Sequence, residues 1–101
     1  MDFIPTTLVP ELINLGYKPY KDETFIHYYD AFKFFREKHS LYTNIVAGLT
    51  SEKFYWYQIA LIPKEASKIT YLESKQEFYD TYEQAEFYAL KFLINHLTKT
   101  N

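Results

Sequence analysis

Apolar and polar positions recur along this chain with two different periods, and the changeovers separate helical stretches from extended ones. Leu8, Leu12 and Leu15 stand at i, i+4 and i+7, which predicts a short helix capped by Thr7. Pro10 falls in its first turn, where a missing N–H does little harm, and Gly16 supplies the stop. Tyr17–Thr24, with Pro19 and mixed charges, reads as a loop. The 3.6-residue period returns over Tyr28–Lys38. Tyr28, Ala31, Phe32 and Phe35 make the apolar face, and Asp30, Lys33, Arg36 and Glu37 the solvated one. His39-Ser40 is the expected end. Phe25 and Ile26 fit either this helix or a short strand.

From Leu41 the period shortens to two. Leu41–Leu49 and Phe54–Ile62 are rich in aromatic and β-branched residues, and Thr50–Lys53 between them reads as a hairpin connection. In the second run Phe54, Trp56, Gln58, Ala60 and Ile62 share one face, while Tyr55, Tyr57, Ile59 and Leu61 share the other, which is expected to be the better packed at its far end. Pro63 ends the strand, because it cannot donate to a ladder. A weaker third strand is expected at Ile69–Glu73, and the pairing of Lys75–Tyr79 is left open by the pattern.

The last helix carries the strongest local signal. Asp80…Glu83 and Thr81…Gln84 both have the spacing of a capping box. Tyr82, Ala85, Ala89, Phe92, Leu93 and Leu97 then form one broad apolar face, widened by Phe87, Leu90 and Ile94. So apolar a helix is expected to be covered on more than one side. The predicted fold is one α+β domain over residues 1–101, of order α-α-β-β-β-α: a three-stranded antiparallel β-meander with its helices on one face.

Composition sharpens this in three respects. The 101 residues are 48% hydrophobic and 21% aromatic, enough for one core and too apolar for disorder. There is no cysteine, the first residues lack a basic, apolar leader pattern, and no apolar run approaches bilayer length. These features lead to the expectation of a cytoplasmic protein. The net charge of −2 is spread along the chain, and Arg36 is the only arginine, which leaves little for bidentate phosphate or guanine contacts.

Candidate chemistry is sparse. His27, His39 and His96 lack metal-ligand spacing and read as surface or cap positions. No nucleophile elbow, P-loop, dinucleotide fingerprint or zinc-protease motif occurs, and two glycines cannot build a phosphate cradle. No catalytic residue, metal or cofactor is therefore expected. Glu73, Glu77, Asp80, Glu83 and Glu86 form an acidic stretch, interrupted by Lys75. It reads as a solvated edge with favourable first-turn acids, or as an acidic face for a basic partner. Tyr55 and Tyr57 join these five in the expected interaction surface, because tyrosine is favoured at protein interfaces.

The segments Tyr28–Tyr42 (YYDAFKFFREKHSLY) and Thr81–Leu97 (TYEQAEFYALKFLINHL) resemble small proteins of bacteriophages and mobile elements. In those, a helix with an A-F-x-W/F-F-R-E-K pattern precedes a β-meander, and a T-Y-E-E-A helix closes the chain. The resemblance implies an α+β fold and a phage or prophage setting, with no activity attached. The helix, three strands and helix also resemble the order of the double-stranded-RNA-binding fold. There, however, a basic cluster opens the last helix, where this chain has Asp80, Glu83 and Glu86. The expected function is that of a small accessory or regulatory protein acting through protein–protein contact. Its partner would be a second copy of the chain or a host or phage protein, not a membrane. The alternative is a nucleic-acid-binding module using the strand aromatics and the Lys33/Arg36/Lys38 helix.

Overall fold

The chain begins with an extended piece that ties back onto a later one: the Ile4 N–H donates to the Ile26 carbonyl at 2.8 Å, and Phe3 bridges His27. The structure, a computed structural model, describes residues 3–19, 25–48, 55–63, 69–73 and 78–99. Pro5 opens a 3-10 turn, Thr6–Leu8, that runs into helix α1, Val9–Asn14. The N-cap of α1 is Leu8 and makes no side-chain capping bond. Thr7, the expected cap, sits inside the preceding turn, because the fixed φ of Pro5 starts the winding earlier. The C-terminus behaves as the glycine implies. Gly16 takes φ +108°, its N–H bonds the Ile13 carbonyl, and the Tyr17 N–H bonds the Leu12 carbonyl, which is the Schellman pattern.

Helix α2, Tyr28–His39, buries Tyr28, Ala31 and Phe35, one stripe at i, i+3 and i+7. Ser40 ends it in the left-handed region at φ 57°, with its N–H on the Phe35 carbonyl. Three antiparallel strands follow in spatial order β1-β2-β3: β1 Leu41–Ala47, β2 Tyr55–Leu61 and β3 Thr70–Glu73. β1 and β2 pair without interruption from Leu41↔Leu61 to Ala47↔Tyr55. The β2–β3 register shifts at Ile59/Ala60, so Ala60 faces Tyr71 while Ile59 faces Glu73. Tyr79 adds an isolated bridge to Tyr55, each donating to the other's carbonyl at 2.8–3.0 Å, which settles the pairing of Tyr79; residues 75–77 of the stretch left open lie outside the described residues. The expected hairpin connection Thr50–Lys53 and the flanking Leu49 and Phe54 lie outside the described residues.

Helix α3, Tyr82–Lys99, closes the fold. Thr81 is its cap. The Thr81 Oγ1 accepts from the Gln84 N–H, and the Gln84 Oε1 accepts from the Asp80 N–H, both at 3.0 Å. Helices α2 and α3 pack on the same face of the sheet, α2 over β1 and α3 over β1 and β2. Between the layers lies one core that includes Leu12, Ile26, Phe35, Leu41, Ile59, Leu90 and Leu93. Each of these side chains stabilises by roughly 1.5–3 kcal/mol relative to exposure. The architecture is the α+β arrangement, in the order α-α-β-β-β-α, that the periodicities imply. Among the described residues no helix is long and apolar enough to cross a membrane.

Candidate interaction surface

Alternation along the strands sorts their side chains into two faces. Leu41, Ile45, Tyr57, Ile59, Leu61 and Leu72 belong to the core or pack against it, so they mark the helix-covered face. The intervening positions face away from the helices: Tyr42, Asn44 and Val46 on β1, Trp56, Gln58 and Ala60 on β2, and Tyr71 on β3. Register lines up Tyr42, Ala60 and Tyr71 across all three strands. Tyr71 is 60% exposed and Tyr42 38% exposed, flanking the small Ala60. One end of this face continues into Phe78, 50% exposed, whose ring meets Trp56 edge-on at 5.6 Å. None of these residues is charged.

A second aromatic group runs along α3. Tyr82 meets Tyr55 edge-on at 6.0 Å. Tyr79 stacks between Tyr57 and Tyr88, at 6.2 and 4.8 Å. Phe92 continues the row between Tyr57 and His96. This row joins the helix to the covered face of β2, with Tyr57, Tyr79 and Phe92 partly buried and Tyr82 and Tyr88 still exposed on their outer side.

Of the residues expected to form the interaction surface, Tyr55, Asp80 and Glu83 lie near one another at the start of α3, where Tyr55 bridges Tyr79 and its ring meets Tyr82, while Tyr57 and Glu86 are turned toward the packed side. Tyr55 and Tyr57 lie on the helix-covered face and are half-buried, so the outward aromatics of β2 are on the opposite face. The face of Ile59 and Leu61, expected to be the better packed at its far end, is the one the helices cover, and α3 extends that cover along Tyr57 and Tyr55. Glu83 is exposed in the first turn of α3, as expected for a first-turn acid, and Asp80 is exposed just before the Thr81 cap. Glu86 is only 5% exposed, one turn further along on the buried side of α3 beside Ala85, Ala89 and Leu90. It is no part of a solvated acidic edge. Glu73 is the last residue of β3, and Glu77 lies outside the described residues. Tyr82, expected on the apolar face of α3, is 43% exposed.

The α2 cations lie elsewhere. Lys33 and Lys38, with Lys18, Asp30, Glu37 and Tyr17, line an open cleft of about 380 Å³ between the end of α1 and α2. The mixed signs in this cleft select no one ligand charge. Phe34 also lines it, edge-on to Tyr17 at 5.6 Å, a docking of the segment after α1 onto α2 that helical periodicity did not reveal. Because α2 packs on the covered face, its cations and the outward strand aromatics lie on opposite sides of the sheet. They do not form one surface.

The histidines are dispersed. His27 precedes α2, exposed and against the Phe3 ring at 4.4 Å. His96 stacks on Phe92. His39 packs on Phe34 and Phe35, and its Nε2 is shut from water with no hydrogen-bond partner. Desolvation lowers its pKa from the ordinary value near 6.5. Among the described residues, no three His, Cys, Asp or Glu side chains are gathered as a metal site would need. No known protein family, curated protein or solved structure matches the chain.

Proposed function

We propose that this is a small cytoplasmic accessory protein that works by binding another protein, and that the helix-free face of its sheet is the contact surface. The observation that carries the reading is the row Tyr42–Ala60–Tyr71, extended by Trp56 and Phe78: aromatic, partly exposed and without a charged residue. Aromatic side chains offer large apolar area at small entropic cost, and the core of an interface is depleted of charge. The chemistry of this face selects a partner whose own contact surface is flat, apolar and uncharged.

The same observation weighs against nucleic acid. Bases would stack on such rings, but the phosphates beside them need cations, and this face has none among its described residues. A host or phage protein is proposed as the partner on the sequence pattern of Tyr28–Tyr42 and Thr81–Leu97 alone.

The test is a tagged capture from nuclease-treated lysate with three baits: the wild type, Tyr71→Ser, and the cleft variant Lys33→Ser. A protein retained by the wild type and by Lys33→Ser but lost from Tyr71→Ser is the expected result. Its affinity should change little between about 50 and 200 mM salt, where a phosphate-binding surface would lose orders of magnitude. Capture that disappears with nuclease, or that depends on Lys33 and not on Tyr71, would overturn the reading.

A further inference from the structure

The free edge of β1 has a property independent of the aromatic face. The Ile62 N–H donates to the Ser40 carbonyl, so the pair 40↔62 is hydrogen-bonded, and by alternation so are Tyr42↔Ala60, Asn44↔Gln58 and Val46↔Trp56. The bridge of Tyr55 to Tyr79 on the other side of β2 agrees with this phase. It follows that the N–H and C=O groups of Thr43, Ile45 and Ala47 point away from β2, toward the open edge of the sheet. No other described segment pairs with them.

Exposed edges are ordinarily blunted by charge, proline, a bulge or brevity. The β3 edge is four residues long, with a register shift against its neighbour. β1 is seven residues, LYTNIVA, in unbroken register with β2 and with no charge, proline or glycine. Among the described residues its outer edge carries none of these protections.

We infer that β1 pairs with β1 of a second copy of this chain, antiparallel about a two-fold axis at Asn44, to make a continuous six-stranded sheet. The absence of charge on β1 favours a second copy over a foreign strand, and the symmetric register is geometrically allowed. Residues at equal distance from Asn44 then meet: Thr43 opposes Ile45 of the partner subunit, and Leu41 opposes the partner's Ala47. These pairs use the outward-pointing backbone groups, as the pairing requires. An uncharged strand sets no like charges against each other when it meets itself, and it carries no charge with which to choose another partner. On the outer face Tyr42 meets the partner's Val46, and the Asn44 side chains meet each other at the axis. Antiparallel pairing also keeps both helix-free faces on one side, so the two aromatic rows merge into one platform.

Sedimentation equilibrium from roughly micromolar to several hundred micromolar, the range spanning weak to firm self-association, tests the inference. The wild type is expected to dimerise. Asn44 is exposed, so Asn44→Lys leaves the monomer folded but sets two ammonium groups together at the axis; it should weaken the dimer about 10- to 100-fold. Asn44→Glu should do the same, and an equimolar mixture of the two should form the heterodimer. Ala47→Pro removes an edge donor without touching the β1–β2 ladder and should also weaken association. A wild type that stays monomeric throughout, or a dimer indifferent to both Asn44→Lys and Ala47→Pro, would refute the pairing. Failure of the Lys and Glu variants to combine would refute the axis at Asn44. None of these outcomes bears on the Tyr71-dependent capture, so the two readings fail separately.

Discussion

The rings of Tyr79 and Tyr88 stack with their centroids 4.8 Å apart and their planes 15° from parallel. Tyr79 is held to β2 by its backbone bridge to Tyr55, and Tyr88 projects from the second turn of α3. The stack therefore links the segment entering α3 to the helix itself, although Tyr88 is 45% exposed. A double-mutant cycle with Tyr79→Ala and Tyr88→Ala, read by urea denaturation, should give a coupling of about 0.5–1.5 kcal/mol. Strict additivity would mean that the two rings are neighbours without interaction.

Thr81 does the work of a cap at the other end of the same turn. Its hydroxyl takes the Gln84 N–H, and removing it leaves that amide to water. Thr81→Ala should cost about 1 kcal/mol, and Thr81→Asp should cost nothing measurable. Asp80→Ala should be nearly silent, because the contribution of residue 80 is a backbone N–H. Thermal melts of the three variants decide it; a larger loss from Asp80→Ala would reassign the cap.

His39 gives the protein a pH dependence whose sign follows from its surroundings. Its Nε2 is sealed without an acceptor, so the protonated ring is disfavoured and the folded pKa lies below the unfolded one. The unfolded chain then binds more protons between those two values, and this contribution to stability is full above about 6.5, the unfolded value. It is lost as pH falls through the folded pKa. His39→Phe keeps a ring against Phe34 and Phe35 and has nothing to titrate. Denaturation midpoints should decline less for this variant than for the wild type below that pH. Parallel profiles would show that other groups carry the acid sensitivity.

Much of the architecture is legible because it rests on local rules. Tyr28, Ala31 and Phe35 recur at helical spacing, Thr81 and Gln84 at capping-box spacing, and Tyr57, Ile59 and Leu61 alternate as strand residues must. What the sequence conceals depends on long-range packing. Nothing near Ile4 announces that its N–H will seek Ile26. Glu86 stands four, seven and eleven residues before Leu90, Leu93 and Leu97, so helical spacing places it on the apolar stripe of α3, a signal that its charge conceals. Ile59 and Leu61 mark which face of β2 is packed at its far end, but not that α3 reaches along it to cover Tyr57 and Tyr55 as well; that depends on where the helix lies across the sheet.

Thr43 offers a test of opposite sign from the usual core substitution. It points to the covered face of β1, and its Oγ1 is shut from water with no hydrogen-bond partner, so the hydroxyl was desolvated on folding and gained nothing in return. Thr43→Val has nearly the same shape and keeps the β-branch that suits a strand. It removes only the orphaned oxygen, since no bond is present to lose. The variant should be more stable by about 1 kcal/mol, with a higher urea midpoint and an unchanged m-value. Thr43→Ala, which removes the oxygen and a methyl together, should be less stable than Thr43→Val, because it leaves a gap against the core. A Thr43→Val variant weaker than the wild type would mean that the hydroxyl has a partner in solution.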